Sequence, residues 1–351
     1  YNQYVMKKFL CVLLSLMVVL ACCSCSASKK AERFSSSFLD LFDTASTLIV
    51  YDNSQDDFNA HLEEFHNKLE EYDHLYDIYN AYDGMNNLNT LNEKAKDAPV
   101  EVDSRIIDLL EYGKEVYKLS SGKTNICFGA VLSIWHNYRQ HGINNPEDAS
   151  LPNMKELKEA AKHTDINSLV IDKEKNTVYF KDEKLKLDVG AIAKGYAVQE
   201  VCKWASENLW QSGVISIGGN AFTFGHKEDG SLWNIEIESP NTEYMDYVEV
   251  VQITDLSVVT SGDYQRYYTV DGKRYCHIIN PDTLMPSEYV ASVSVLCNNS
   301  ALGDALSTTL FNMSVEDGKK LVEATDGVEA VWIDKSYNKT FSSGFEKYIK
   351  K

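Results

Sequence analysis

The chain has 351 residues, of which 44% are hydrophobic, and it carries a formal net charge of −18 at pH 7. So acidic a chain is repelled by phosphate backbones, which argues against nucleic acid as a partner. The length suits one large domain or two closely packed lobes, and the sequence contains no repeat and no internal linker.

The first 25 residues have the pattern of a secretory signal. Two lysines follow Met6, the expected start, and a short apolar run covers residues 9–21. This run is too short to cross a bilayer, which takes about 20 residues. We therefore expect cleavage of residues 1–25 rather than a membrane-spanning helix.

The end of this signal is similar to a lipobox, the cleavage sequence of bacterial lipoproteins. Val19-Leu-Ala-Cys22 predicts a lipid on Cys22, with Cys25 as the alternative. Residues 26–37, rich in Ser, Ala and Lys, would form a tether, and residues 38–351 would form the folded domain.

The sequence of the first half of the folded domain predicts both strands and helices. A β-branched run at 44–52 predicts the first strand, and Asp56 begins a helix whose apolar residues recur at helical spacing. The Tyr-, Asn- and Asp-rich segment 76–92 predicts an ordered loop, and Ser104 caps a helix. A hairpin is predicted at residues 169–180.

The stretch 184–197, Lys-Leu-Lys-Leu-Asp-Val-Gly-Ala-Ile-Ala-Lys-Gly-Tyr-Ala, is the first candidate site. Its first five residues alternate as in a strand, and a helix is predicted from Ala191 onward. Gly190 and Gly195 would let a ligand approach the backbone. Free N–H groups of a helix start attract an anion, and Lys194 opposes the macrodipole unless something negative compensates it. A pyrophosphate site and an ordinary turn with a solvated lysine fit these residues equally well.

A second candidate site lies around a predicted hairpin. Asp271-Gly272 separates two alternating runs, which is a strong hairpin signal. A bend at Ser261-Gly-Asp263 precedes the first run, and His277 ends the second. We expect both ends of the hairpin to border a cleft. Strands are also predicted at three places: 214–220, 233–237 and 248–253.

The third candidate site is a helix over 301–311. Asp304, Ser307 and Thr308 fall at i, i+3 and i+4, so their oxygen atoms share one face. So sparse a set of hard donors suits Mg²⁺, which keeps waters and bridges to substrate phosphates. An aspartate that only stabilises the helix start, with hydroxyls bonded back to carbonyls, is the open alternative.

Taken together, the motifs resemble the ApbE family, the flavin transferases also called FAD:protein FMN transferases. The resemblance covers roughly residues 38–335 and rests on four motifs in order: Leu187-Asp-Val-Gly-Ala-Ile-Ala-Lys-Gly-Tyr196, Ser261-Gly-Asp-Tyr-Gln-Arg-Tyr267, His277-Ile-Ile-Asn-Pro281 and Asp304-Ala-Leu-Ser-Thr308. It implies an α+β fold of the T-fold-like kind, with mixed sheets and helices in a single large domain of two intimately packed lobes.

The resemblance also implies an activity. Such a protein binds FAD and Mg²⁺, cleaves the pyrophosphate, releases AMP and moves FMN onto a threonine hydroxyl of an acceptor flavoprotein, such as a redox-pump subunit. It would be held in the bacterial cell envelope, lipid-anchored on the outer side of the inner membrane or periplasmic. A Mg²⁺-dependent FAD pyrophosphatase and a non-catalytic FAD-binding lipoprotein are the alternatives.

Site residues follow from the same resemblance. Six residues would contact FAD: Asp188, Lys194, Thr124, Asn125, His277 and Ile278. Four would bind the metal, the first through its backbone carbonyl: Ala191, Asp304, Ser307 and Thr308. Asp304 and Lys194 would be catalytic.

Three departures from the family pattern stand near the expected flavin-ring end of the site. Phe42-Asp-Thr44 replaces the usual Met-Gly-Thr, Asn280 replaces an aspartate, and Leu284 replaces the glycine after Pro-x-Thr. The flavin-ring end is therefore expected to differ, whereas the metal and phosphate motifs are intact.

Overall fold

The structure is a computed structural model that describes residues 31–241, 243 and 245–351. The predicted signal and lipobox lie outside the described residues and stay predictions. Within the described part of the chain, no helix combines the length and apolar character needed to cross a membrane.

The described chain forms fifteen strands and eight α-helices. The strands are β1 (Glu32–Phe38), β2 (Ser46–Asp52), β3 (Val100–Glu101), β4 (Leu169–Asp172), β5 (Thr177–Phe180), β6 (Gly213–Ile217), β7 (Asn220–Phe224), β8 (Trp233–Glu238), β9 (Tyr247–Ile253), β10 (Ser257–Gly262), β11 (Tyr267–Val270), β12 (Lys273–Cys276), β13 (Ser292–Cys297), β14 (Glu329–Ile333) and β15 (Lys339–Phe341). The helices are α1 (Gln55–Tyr76), α2 (Leu88–Lys94), α3 (Ser104–Leu119), α4 (Gly129–Asn144), α5 (Met154–Ala160), α6 (Ala193–Asn208), α7 (Ser300–Phe311) and α8 (Val315–Glu323).

Eight strands form the main sheet in the order β1-β2-β6-β7-β10-β13-β14-β15. Three smaller sheets comprise β3-β5-β4, β8-β9 and β11-β12. The strand pairs described are antiparallel, the register of β1 and β2 running from Glu32 opposite Asp52 to Phe38 opposite Ser46. Helices and antiparallel sheets in one domain confirm the α+β class.

The two faces of the main sheet pack against different elements, because successive residues of a strand point to opposite faces. Leu48 and Val50 of β2 are fully buried and pack with helices α1, α3 and α6. On β10, Val259 lies against Gly303 of α7, whereas Val258 faces the other way and packs with residues of the β8-β9 hairpin. The sheet thus holds α6 and α7 on one face.

Helix α1 begins at Gln55, one residue before the predicted start at Asp56. The Ser54 side chain accepts a hydrogen bond from the Asp57 N–H, as an N-cap residue does. Its apolar face buries Phe58, Phe65 and Leu69 in the largest core cluster. The helix is therefore fixed by its cap and by one buried stripe.

The predicted tether over 26–37 is wrong at its C-terminal end. Residues 32–38 form β1, which pairs with β2 along its whole length. Phe34 of β1 stacks on Phe58 with ring centroids 5.0 Å apart. The two phenylalanines of this serine-rich segment are partly buried and lie on the same face of the strand, a pattern that the composition did not reveal.

The predicted strand over the first residues of 184–197 is also wrong. Leu185 and Leu187 are buried as alternation requires, but Lys186 forms only an isolated bridge with Phe128. The Leu187 N–H donates to the Asn92 side chain at 2.7 Å. Because a side chain takes this hydrogen bond, the segment is extended without joining a sheet.

Other local predictions are confirmed. Asp271 and Gly272 have φ of 49° and 78°, and they connect β11 to β12 in a tight turn. The loop predicted over 76–92 is confirmed for residues 77–87 and wrong for residues 88–92, which belong to α2. The structure also shows four free cysteines, all of them buried: Cys127, Cys202, Cys276 and Cys297.

Candidate functional site

The turn that leads into α6 leaves backbone groups open. Asp188 Oδ1 accepts the Gly190 N–H at 2.9 Å, and the N–H groups of Ile192 and Ala193 donate to the Val189 carbonyl. The N-cap residue, Ile192, provides no side-chain cap. Among the described residues, the Lys194 N–H has no hydrogen-bond acceptor. An uncapped helix start with a free N–H suits an anionic oxygen.

Helix α7 meets this turn at Gly195. The Gly195 N–H donates to Asp304 Oδ2 at 2.7 Å. A Cβ atom on Gly195 would lie 2.3 Å from Asp304 Cβ and 2.4 Å from the Ser300 carbonyl oxygen. The expectation that this glycine admits a ligand is therefore corrected, because the glycine admits α7 and brings Asp304 to the start of α6.

Asp304 is a buried carboxylate that lacks a full set of compensating charges. It is 5% exposed, and burial raises its pKa, while the Lys194 charge and the Gly195 N–H act in the opposite direction. Asn220, also buried, lies close enough to lower the pKa further. A bound cation would stabilise the ionised form that burial disfavours.

The other predicted metal ligands differ in availability. The Ala191 carbonyl accepts no backbone hydrogen bond from the described residues, and the partly exposed Thr308 has no side-chain hydrogen bond among them. The Ser307 hydroxyl, in contrast, is shared with Ser261 at 2.8 Å and donates to the Asp304 carbonyl at 3.0 Å. The Ala191 carbonyl, the Thr308 hydroxyl and the Asp304 carboxylate therefore remain as candidate metal ligands.

This donor set fits a magnesium ion. No group of three or more His, Cys, Asp and Glu side chains in the described part of the chain is arranged to hold a metal. Mg²⁺ needs no such cage, since it is commonly held by one or two carboxylates with waters and substrate phosphates. The donor types are thus compatible with a metal whose coordination a phosphate substrate would complete.

Three positively charged side chains lie near His277. The pKa of His277 is lowered to about 3 by burial and by the charges of Arg139, Arg266 and Lys194. The ring Nδ1 lies 3.1 Å from the Arg266 carbonyl, and since a carbonyl only accepts, Nδ1 is the donor. The imidazole is therefore neutral, and Nε2 carries a lone pair beside a cationic cluster.

Lys194 is the centre of this electrostatic arrangement. Its charge lowers the pKa of three groups, Asp188, Asp304 and His277. Burial is the largest influence on Asp188 and raises the pKa of that carboxyl. In a chain of net charge −18, a local concentration of cations favours an anionic ligand, and the charge of a pyrophosphate would suit it.

Sequence reasoning missed an exposed aromatic ring close to the same charged residues. Tyr79 is 56% exposed, its ring centroid lies 5.0 Å from that of His136, and its hydroxyl is 3.3 Å from His136 Nδ1. Partial burial of the side chain and the Asp188 charge raise the pKa of Tyr79 to about 12, and the Arg139 charge opposes them. An exposed ring beside the cations suits stacking of a planar ring system. The only sequence signal was a tyrosine in a polar loop.

Three of the residues predicted to contact FAD turn inward. The Thr124 hydroxyl pairs with Thr309 at 2.8 Å. The Asn125 side chain donates to the Thr164 carbonyl and accepts the Cys127 N–H. The Ile278 side chain is buried in a core cluster. A ligand could therefore contact Thr124 or Ile278 only through the backbone, whereas the half-buried Asn125 side chain already has two protein partners.

The departures from the family pattern occupy unusual backbone positions. Asp43 and Leu284, each in place of a glycine, have φ of 50° and 61°. The Leu284 carbonyl accepts the Trp135 indole N–H at 2.9 Å, and the Asp43 carbonyl accepts from Arg266 at 2.9 Å. The left-handed backbone is thus retained without glycine. Asn280 donates to the Asn312 carbonyl at 3.5 Å, which an ionised aspartate cannot do.

Comparisons with known proteins agree on one family. The family model described as ApbE family matches residues 42–332. A protein of Treponema pallidum named FAD:protein FMN transferase is 33% identical over 260 residues, covering 70% of each chain. One of the same name from Vibrio cholerae is 27% identical over 349 residues, covering 99% of this chain and 100% of the relative.

Solved structures show the same similarity. The ApbE protein of Thermotoga maritima superposes with a TM-score of 0.79 at 25% identity, covering 91% of this chain and 100% of that one. The flavin transferase ApbE of Vibrio cholerae gives a TM-score of 0.76 at 26% identity, covering 91% and 99%.

Proposed function

This chain belongs to the ApbE family, and on that premise we propose how its site transfers FMN from FAD to a protein acceptor. It is an FAD:protein FMN transferase, for which FAD is the substrate. The proposal extends to the metal, Mg²⁺, to the acceptor atom, a threonine hydroxyl of a flavoprotein, and to the residues that act.

The observation that carries the proposal is the contact between α6 and α7. The Gly195 N–H and Asp304 Oδ2 lie 2.7 Å apart, so a buried carboxylate stands at an uncapped helix start. A metal on the carboxylate and phosphates on the helix start would then be neighbours. Pyrophosphate cleavage needs this pairing, because both partners neutralise charge on the phosphates.

The phosphates would be held by the free N–H of Lys194 and by its side chain, with Arg139 and Arg266 close by. The exposed Tyr79 ring would support the flavin or the adenine. Phosphoryl transfer requires mainly positioning and charge neutralisation, which these groups provide.

Asp304, the Ala191 carbonyl and the Thr308 hydroxyl would hold the metal, and Ser307 would support Asp304 through its backbone. When bound, Mg²⁺ supplies polarisation of the pyrophosphate and neutralises charge on the departing AMP. The protein itself would fix the Asp304 carboxylate, because the Gly195 N–H binds Oδ2 and leaves the other carboxylate oxygen for the cation.

His277 is the better candidate to accept the threonine proton. A carboxylate on a metal is a poor base, whereas His277 Nε2 has a free lone pair. The pKa of His277, about 3 beside three cations, is too low for an efficient base. Anionic phosphates would neutralise those cations and raise the pKa, so that substrate binding itself would prepare the base.

The location of the protein is part of the proposal. The Val19-Leu-Ala-Cys22 segment supports lipidation at Cys22, with Cys25 as the alternative, and anchoring in the bacterial cell envelope. An acceptor flavoprotein such as a redox-pump subunit would then be met at the membrane surface. Mass spectrometry of the mature N-terminus tests this, and a terminus other than a diacylated Cys22 or Cys25 contradicts it.

One incubation tests the activity. The protein is mixed with FAD and Mg²⁺, with or without an acceptor that carries its target threonine, and AMP and the acceptor mass are followed. A transferase releases AMP briskly only with the acceptor, which gains one FMN. Release of AMP and FMN without acceptor would indicate a pyrophosphatase, and no release in either arm would indicate a non-catalytic FAD-binding protein.

A further inference from the structure

A groove crosses the main sheet on the face opposite α6 and α7. On β2, Leu48 and Val50 pack with the helices, whereas Thr47 and Ile49 line the groove. The groove encloses about 430 Å³, and strand β8 forms its other wall. Thr47 is exposed and Ile49 is half-buried, so this part of the sheet face remains open to solvent.

Strand β8 presents a free edge to this groove. Among the described strands it pairs with β9 alone, and every hairpin residue that lines the groove belongs to β8. The Val250 carbonyl of β9 accepts the Lys350 N–H at 2.8 Å, so the backbone groups of Val250 point away from β8. Glu236 lies opposite Val250, and in an antiparallel pair both residues then point outward. The N–H and carbonyl of Glu236 are therefore available to a further strand.

One end of the groove adjoins the proposed site. Gly219 and Gln265 line this end, and a Cβ atom on Gly219 would lie 3.9 Å from Gln265 Nε2. The next residue along the chain, Arg266, belongs to the group of cations described above, and its carbonyl accepts the His277 N–H at 3.0 Å. A segment that lay in the groove would thus end close to His277.

The groove is also acidic. Glu236 and Glu238 line it and are exposed. Glu238 Oε2 accepts the Tyr264 hydroxyl at 3.3 Å, which places this carboxylate at the end of the groove next to Gln265. Neither glutamate forms an ion pair with a residue of the described chain. Since opposite charges on neighbouring strands stabilise their pairing, a lysine or arginine on an added strand would suit each of them.

We propose that this groove binds the acceptor protein as an extended segment that adds to the free edge of β8. In this mode of recognition, main-chain hydrogen bonds give affinity and the side chains of alternate residues give specificity. Small or apolar residues of the segment would lie on Ile49 and Ala221, and basic residues would lie beside Glu236 and Glu238. The threonine would follow at the end near Gln265. The proposal rests on the proposed transferase function, because the acceptor is its second substrate.

Binding of a peptide probe to the whole protein tests the groove without FAD. The probe is a fluorescein-labelled peptide in which lysine and valine alternate before a single threonine, and fluorescence anisotropy follows its binding. A second peptide of equal charge has proline in place of valine, because proline lacks the N–H that a strand edge needs. Since several main-chain hydrogen bonds are lost, the second peptide should bind about tenfold more weakly. Equal affinities would overturn the inference.

Charge reversal provides a matched pair of variants. Glu236→Lys should weaken binding of the lysine–valine peptide about fivefold or more, because repulsion replaces attraction. Glu64→Lys makes the same change of net charge at an exposed position of α1, which packs on the other face of the main sheet, and should bind the peptide as the parent does. If Glu236→Lys binds the peptide no more weakly than Glu64→Lys, the inference is wrong.

FMN attachment to an acceptor protein distinguishes the groove from the activity. Glu236→Lys should raise the KM for the acceptor about fivefold and leave kcat and the KM for FAD unchanged, because only binding of the acceptor is weakened. A lower kcat with an unchanged KM for the acceptor would contradict the inference. If the parent protein attaches FMN to no acceptor, the proposed function fails, and the peptide comparison still decides whether the groove binds an extended segment.

Discussion

Replacing Gly195 by alanine tests the contact on which the site depends. The added Cβ would lie 2.3 Å from Asp304 Cβ and 2.4 Å from the Ser300 carbonyl oxygen. Ordinary contacts between carbon atoms are about 3.5–4.0 Å. Since a backbone oxygen and a Cβ atom cannot rotate away, α6 and α7 must separate by about 1 Å or more.

Two effects set the cost in stability. Overpacking of this kind costs about 1–3 kcal/mol, and the better helix propensity of alanine returns up to about 1 kcal/mol. We expect a net loss of about 1–2 kcal/mol in the free energy of unfolding. The effect on catalysis should be larger, because a displacement of about 1 Å at a reacting centre can cost a hundredfold in rate.

The assay is FMN attachment to an acceptor protein, with urea unfolding measured on the same samples. Gly318→Ala in α8 is the control, because its Cβ would meet only side-chain atoms of Leu310 and Trp332, at 3.2 Å or more. The control should retain its activity. A Gly195→Ala variant that unfolds at lower urea but transfers FMN within about threefold of the parent rate would refute the reasoning.

Two further predictions concern the cationic cluster. Lys194→Gln should weaken FAD binding about tenfold or more but riboflavin binding little, because only FAD carries the pyrophosphate; fluorescence titrations showing equal losses would place Lys194 elsewhere. His277 should destabilise the fold in acid: its folded pKa of about 3 lies below the unfolded value near 6.5, so the unfolded state binds the proton first, and stability falls as pH drops from about 7 to 5. Because protonation is linked to unfolding, the free energy of unfolding should fall by up to about 2 kcal/mol over this range. Solvent contact of the imidazole reduces this loss to about 1–2 kcal/mol. Urea unfolding at pH 7.5 and 5 measures this loss, which should be absent from His277→Asn. If the variant loses as much stability as the parent between the two pH values, the low pKa of His277 is contradicted.

Local chemistry predicted much of the fold. Asp271-Gly272 specifies a tight turn because Gly, Asn and Asp tolerate positive φ, and the apolar face of α1 follows from its spacing. The strand predicted within 184–197 failed because alternation reports burial but not the hydrogen-bond partner. β1 was missed because serines flank its phenylalanines.

Candidate site residues could be predicted from the sequence only where the residue type itself indicates a chemical role. Asp304 and Lys194 stood out as a carboxylate on a helix face and a cation at a helix start. The roles of Gly195 and Tyr79 depend on which elements meet in space, and no spacing within the chain encodes that. The inward turn of Thr124 likewise depends on Thr309, which lies 185 positions away.

The central claim is that Asp304 binds the metal that makes transfer possible. The direct measurement is the rate of FMN attachment by Asp304→Asn at low and high Mg²⁺, with thermal melting as the folding control. Asparagine keeps the size of the side chain but removes the charge, so the rate should fall about a hundredfold or more at ordinary Mg²⁺. Because burial disfavours the ionised carboxylate, the metal-free variant should melt no lower than the parent. A near-normal rate at low Mg²⁺ would contradict the account.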